Sequence, residues 1–213
     1  MGHSTGSQDV MHYLISPGER PRIDGGIMQS GVSDREGFNM FITPALLNES
    51  VRVAQQYVRE RRENDVLPGY LTNTILTASI SAKRWLSLVS PGPEHAGEDD
   101  YFSSDFDDER LRRTFGKLGL TKTPICILYG AKDSFVPEGV NKMELVAKWE
   151  RHIREGGGVV GEGSGVVPEM SHTVKELRAP LDDMIKRIHK FLSRIEDDST
   201  QEGSKQSTIQ YGP

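Results

Sequence analysis

The chain has 213 residues, of which 35% are hydrophobic and 27% charged, with a formal net charge of −5. This length can bury one hydrophobic core, and the negative charge with scattered basic residues argues against nucleic acid as a partner. No apolar run is long enough to span a bilayer, so no membrane contact is expected. The single cysteine, Cys126, lies in an apolar run, which predicts a buried thiol and a cytoplasmic location.

Residues 1–30 predict the start of an α/β unit. Residues 7–14 place apolar side chains along one side of a helix that ends before a Pro-Gly turn. The following short apolar stretch, residues 23–28, is typical of a buried strand.

Residues 31–120 have a different pattern and predict a helical cap inserted between two strands. Apolar residues at intervals of three and four predict helices over 45–62 and 80–89, and a third helix is expected over 107–115. Pro44 opens the first of these helices, and proline is favoured at the first helical position.

Residues 121–195 return to the alternation of strand and helix. Strands are predicted at 124–129 and at 166–167, with a helix over 139–153 between them. A last amphipathic helix opens at Pro180 and is expected to pack on the sheet.

Residues 196–213 are polar and rich in Gly, Ser and Gln, which predicts a disordered tail.

The alternation of strands and helices before this tail indicates an α/β fold with a mostly parallel sheet and helices on both faces. Functional side chains of such sheets gather at the carboxyl ends of the strands. The loops after the strands are therefore where a site is expected.

The segment Gly-His-Ser-Thr-Gly at residues 2–6 matches the G-x-S-x-G nucleophile elbow. A serine hydroxyl is a poor nucleophile until a base takes its proton, and the elbow exposes Ser4 on a tight strand-to-helix turn. Gly2 and Gly6 are expected because side chains there would collide with the turn and the helix. The backbone N–H of Thr5 is the predicted oxyanion donor. The alternative is an ordinary Gly-rich turn.

Two further residues complete a candidate triad. Asp133 follows the predicted strand 124–129, and His172 follows the strand at 166–167. Taken singly, they could be a turn-capping carboxylate and an exposed loop histidine. The chain order Ser4, Asp133, His172 is that of the α/β-hydrolases, so together they predict a nucleophile, an orienting acid and a general base.

Aromatic residues of the insertion are candidates for the wall of a substrate pocket, with core packing as the alternative. These residues are Tyr70, Trp85, Tyr101 and Phe102. The Gly-rich segment 161–165 lacks the Lys-Ser/Thr ending of a phosphate loop, and no metal-ligand spacing occurs. We therefore expect neither a cofactor nor a metal.

With these residues in place, the chain resembles the fungal siderophore ester hydrolase family of α/β-hydrolases from residue 1 to about 195. The resemblance rests on the segments 2–13, 26–36 and 99–105 and on the surroundings of Asp133 and His172. It implies hydrolysis of ester bonds in fusarinine-type hydroxamate siderophores, which are small-molecule substrates, with release of iron inside the cell.

The same resemblance implies strands before the elbow and a loop with a second oxyanion N–H, which the 213 residues do not include. We therefore expect an N-terminally truncated member of the family. The alternative hypothesis is a catalytically inactive remnant that acts at most as a binding partner.

Overall fold

The computed structural model describes residues 1–73, 76–89, 100–174 and 178–206. Within these residues one sheet holds four parallel strands in the order β1-β2-β3-β4. The strands are β1 Gly2–His3, β2 Gly26–Gln29, β3 Ile125–Gly130 and β4 Gly165–Val167. Each predicted strand is present, and the parallel sheet is confirmed.

Eight α-helices and one 3₁₀ helix are described. The helices are α1 Thr5–Ile15, α2 Asp34–Phe41, α3 Pro44–Arg59, α4 Gly69–Thr72, α5 Ala82–Val89, α6 Asp108–Arg113, α7 Lys142–Glu155 and α8 Arg178–Gln206, and the 3₁₀ helix is Phe115–Leu120. The short helices α2 and α4 were not predicted, and the predicted helix over 107–115 is α6 followed by the 3₁₀ helix.

The C-terminal boundary also differs from the prediction. Helix α8 continues to Gln206, so the predicted disordered tail is wrong over 196–206. The segment contains no proline before Pro213, and adding residues to an existing helix is much easier than starting one. The rest of the predicted tail, 207–213, lies outside the described residues.

Both faces of the sheet are covered, as the alternation along β3 shows. Ile127 and Tyr129 point into a core shared with α1 and α7, where Trp149 is fully buried. Cys126 and Leu128 point into the opposite core, which α8 closes. A strand with apolar residues on both faces is typical of a parallel sheet between helix layers.

The cap has a core of its own, centred on the fully buried Trp85 and spanning residues 38–89. Residues 101–118 instead pack in the main core, where the Phe115 ring stacks on Trp149 at 5.3 Å between centroids. The part of the insertion with a separate core is therefore shorter than the predicted cap of 31–120.

Polar side chains join the two places where the insertion leaves and re-enters the main core. The Ser33 hydroxyl lies 2.6 Å from that of Ser103, and it also caps α2 by accepting from the Glu36 N–H. Glu36 in turn accepts from the backbone N–H and the hydroxyl of Ser104, at 3.0 and 2.6 Å. Arg35 donates to Asp100 at 3.2 Å. The segments 31–36 and 100–105 are thus hydrogen-bonded to each other where the cap joins the main core.

Candidate active site

Ser4 lies in the turn between β1 and α1 with φ 54° and ψ −123°. A non-glycine residue rarely adopts a positive φ, and such strain is typical of residues that a functional site holds in place. The turn is tied to the sheet because the Ser4 N–H donates to the Gln29 carbonyl at 2.9 Å. This is the geometry that the elbow motif predicts.

The two glycines of the motif have different surroundings. A Cβ added to Gly2 would lie 1.9 Å from the Gly6 carbonyl oxygen, because the first turn of α1 folds back over β1. A Cβ on Gly6 would meet nothing within 4 Å. The prediction that both positions exclude a side chain therefore holds for Gly2 and is wrong for Gly6.

The three residues of the predicted triad are brought together from three strand ends. The Ser4 Oγ lies 3.0 Å from His172 Nε2, and His172 Nδ1 lies 2.9 Å from Asp133 Oδ2. Asp133 is only 2% exposed and His172 only 8% exposed. A largely buried carboxylate can hold one imidazole tautomer and stabilise the imidazolium that forms when the histidine takes a proton.

The loop that carries Asp133 is held by its own hydrogen bonds. Asp133 Oδ1 accepts from the backbone N–H of Phe135 at 3.0 Å, which leaves Oδ2 for the histidine. The Lys142 ammonium donates to the carbonyls of Ala131 and Asp133 at 3.0 and 2.7 Å. Burial lowers the pKa of Lys142, while the negative charge of Asp133 opposes that change.

The loop that carries His172 crosses close to the acid loop. A Cβ on Gly130 would lie 2.5 Å from the Met170 carbonyl oxygen, which explains a glycine at the end of β3. The Lys132 N–H donates to the same carbonyl at 2.9 Å. This backbone crossing sets the separation of Asp133 and His172.

His3, the residue before the nucleophile, has a polar role at the elbow. Its Nε2 lies 2.9 Å from the His172 carbonyl oxygen. Because a carbonyl only accepts, Nε2 must carry a proton in this hydrogen bond. His3 therefore helps to hold the backbone of the catalytic histidine.

The predicted oxyanion donor, Thr5, is the first residue of α1. Its backbone N–H is one of the first-turn amides that have no partner within a helix, and the helix dipole favours negative charge there. The position suits an oxyanion, and the role itself stays a prediction.

Two of the four aromatic residues predicted to line a pocket are instead buried in hydrophobic cores. Trp85 is fully buried in the cap core and donates its indole N–H to Ser50 Oγ at 3.0 Å. Phe102 is buried in the main core, edge-on to Trp149. Both rings are needed to fill cores, so this part of the prediction is wrong.

The other two candidates differ in exposure. Tyr101 is buried, and its hydroxyl lies 3.1 Å from His12 Nδ1 on α1. Tyr70 is 70% exposed on α4, and its contact with substrate stays a prediction.

Sequence reasoning missed Phe135, which lies beside the triad, and Phe41, which packs against Phe135. The Phe135 ring centroid lies 4.6 Å from that of His172, and Phe41 lies 5.7 Å from Phe135. Phe135 could have been found from its position two residues after Asp133. Phe41 had no such signal because α2 was not predicted.

A cavity of about 310 Å³ lies beside α2 and α6, and none of the triad residues lines it.

Within the described part of the chain, no group of three or more His, Cys, Asp or Glu side chains is placed to hold a metal ion. Across those same ranges, no helix combines the length and apolar composition needed to cross a membrane.

Curated proteins are similar to this chain in sequence. The fusarinine C esterase SidJ of Aspergillus fumigatus is 38% identical, and the match covers 70% of this chain and 52% of that protein. An esterase of Emericella nidulans is 34% identical, covering 70% of this chain and 51% of its own length. The chain thus spans about half the length of these curated relatives.

A solved structure titled siderophore hydrolase EstB, also from Aspergillus fumigatus, superposes with a TM-score of 0.75 at 34% identity, covering 92% of this chain and 65% of that one. This likeness confirms the predicted α/β-hydrolase fold. The sequence pattern of the family described as protein of unknown function DUF1749 matches residues 1–193. The predicted kinship with fungal siderophore ester hydrolases is therefore confirmed, and the chain belongs to the DUF1749 family.

Proposed function

We propose that this chain carries the catalytic triad of a serine esterase. The observation that supports the proposal is the continuous hydrogen-bonded series from Ser4 Oγ through His172 to Asp133, built on a serine with positive φ. Acyl transfer requires these three parts, which are a nucleophilic hydroxyl on a tight turn, an imidazole base and a buried carboxylate.

In the proposed mechanism, His172 Nε2 takes the Ser4 hydroxyl proton as the oxygen attacks the ester carbonyl. The negative charge of the tetrahedral intermediate develops near the Thr5 N–H at the start of α1. His172 then donates the proton to the leaving alcohol, and a water molecule activated by the same imidazole releases the acid from Ser4. Asp133 orients the ring and stabilises its charged form.

For the substrate, we propose an ester of a hydroxamate siderophore of the fusarinine type. The support is the names of two relatives, a fusarinine C esterase and a siderophore hydrolase, at 38% and 34% identity. The cytoplasmic location expected from the lone cysteine stays a prediction, which cell fractionation would test.

Labelling with a fluorophosphonate probe tests the nucleophile directly. We expect labelling of the chain, loss of labelling in Ser4→Ala and retention in Ser16→Ala, which changes a serine at the other end of α1. Circular dichroism on all three proteins shows whether they are folded. A folded chain that takes up no label would overturn the esterase proposal and favour a non-catalytic binding role.

If Ser4 is labelled, the substrate is tested next. Mass spectrometry would follow hydrolysis of a fusarinine-type ester and of a simple alkyl ester by the chain and by Ser4→Ala. Ser4-dependent cleavage of the simple ester alone would leave a serine esterase but contradict the siderophore assignment.

A further inference from the structure

An exposed phenylalanine, Phe135, lies next to the catalytic histidine, and a second one, Phe41, packs against it. Phe135 is 36% exposed and Phe41 is 53% exposed, and their ring centroids are 5.7 Å apart. The Phe135 ring also lies 4.6 Å from the His172 ring. Scattered exposed apolar residues are ordinary, but two adjoining aromatic rings, one of them in contact with a catalytic side chain, indicate a binding surface. We call this pair the aromatic ledge.

Each ring of the ledge is held by the structure around it. Phe135 is fixed through its backbone N–H, which donates to the catalytic acid Asp133 at 3.0 Å. Phe41 is the last residue of α2, which is anchored in the cap core by Phe38 against Trp85 at 5.5 Å. One ring therefore comes from the acid loop of the main core and the other from the cap.

The direction of the chemistry decides which part of an ester faces the ledge. His172 Nε2 must donate its proton to the oxygen of the leaving alcohol, so the alcohol lies on the histidine side of Ser4. The carbonyl oxygen turns instead toward the Thr5 N–H. The group attached to the alcohol oxygen therefore lies beside the His172 ring, and Phe135, 4.6 Å from that ring, is placed to contact it.

We propose that the aromatic ledge binds the leaving alcohol and selects esters whose alcohol carries an apolar group close to the ester oxygen. This inference rests on the proposed esterase function. Aromatic pairs and the burial of apolar surface both contribute to such binding, and together they correspond to about a tenfold preference over a small alcohol.

Rates of hydrolysis of 2-phenylethyl acetate and ethyl acetate test the proposal. The ratio of kcat/KM for the two esters is expected to fall about tenfold in Phe135→Ala and less in Phe41→Ala, which is farther from the histidine. Leu120→Ala, which removes an equally apolar side chain that is 80% exposed on the 3₁₀ helix, should keep the wild-type ratio. An equal loss for both esters in Phe135→Ala would show that the ring only supports His172, and would overturn the ledge.

The acyl side of the ester supplies a second comparison. Ethyl 3-phenylpropanoate carries the same ring on the acid instead of the alcohol, and its rate relative to ethyl acetate should not respond selectively to Phe135→Ala. A selective loss for this ester, with the alcohol series unaffected, would place the ledge on the acyl side and contradict the proposal.

A binding measurement separates the ledge from the esterase function. The His172 ring protons are expected to shift in NMR spectra when 2-phenylethanol is added, to shift less with ethanol, and to lose the 2-phenylethanol response in Phe135→Ala. Such binding without fluorophosphonate labelling of Ser4 would support the ledge and overturn the esterase. Labelling of Ser4 with no Phe135-dependent NMR shift and no change in the ester ratio would support the esterase and overturn the ledge.

Discussion

The two glycines of the elbow motif allow a prediction in which a matched pair of substitutions has opposite effects. In Gly2→Ala the new Cβ would lie 1.9 Å from the Gly6 carbonyl oxygen and 2.8 Å from the Ser7 nitrogen. All of these neighbours are backbone atoms, so no side chain can rotate away. The strand β1 and the first turn of α1 must move apart by about 1.5 Å before ordinary van der Waals contact is restored.

That movement acts on both stability and chemistry. Overpacking of a rigid site costs about 1–3 kcal/mol of unfolding free energy. Ser4 lies between the two elements that must separate, and displacement of a reacting group by about 1 Å can lower the rate about a hundredfold. Gly6→Ala places its methyl group in open space within α1, and alanine is favoured over glycine in a helix by up to about 1 kcal/mol.

The assay is the second-order rate constant for fluorophosphonate labelling of Ser4, with urea unfolding of each variant. We expect Gly2→Ala to label about a hundredfold more slowly and to unfold at lower urea, and Gly6→Ala to label normally with equal or higher stability. Normal labelling of Gly2→Ala, or a loss in Gly6→Ala as large as in Gly2→Ala, would refute this explanation of the motif.

Three further changes have defined outcomes. Asp133→Asn should slow Ser4 labelling by about ten-thousandfold while His172 stays in place, because the amide favours the wrong imidazole tautomer; labelling kinetics with circular dichroism measure this. Trp85→Ala should destabilise the chain by about 3–5 kcal/mol in urea unfolding, since it empties the cap core and leaves Ser50 without its indole donor. Burial raises the pKa of Glu36, so its ionised form is less favourable in the folded chain than in the unfolded one. The stability that the neutral carboxyl contributes is present below the unfolded pKa and is lost as pH rises through the folded pKa. Glu36→Gln, which can still accept from Ser104, should therefore show a smaller fall in unfolding free energy above pH 4.5 than the wild-type chain. Identical pH profiles of the two proteins would contradict this reasoning.

Features that depend on local pattern were predicted correctly from the residues in chain order. Helical and strand periodicities located the parallel strands and most of the helices, and the order Ser4, Asp133, His172 indicated the triad. This worked because parallel strands end at one edge of the sheet, so residues just after them converge whatever their separation in the chain.

Features that depend on packing between distant segments could not be predicted from the residues in chain order. Composition could not distinguish the buried rings of Trp85 and Phe102 from the exposed rings of Phe41 and Phe135, because exposure is set by the elements that pack around a ring. The room beside Gly6 and the bond from His3 to the His172 carbonyl likewise depend on close approaches that no spacing along the chain records. Helix α8 shows the same limit, since its polar end was predicted to be disordered while the helix it extends was recognised.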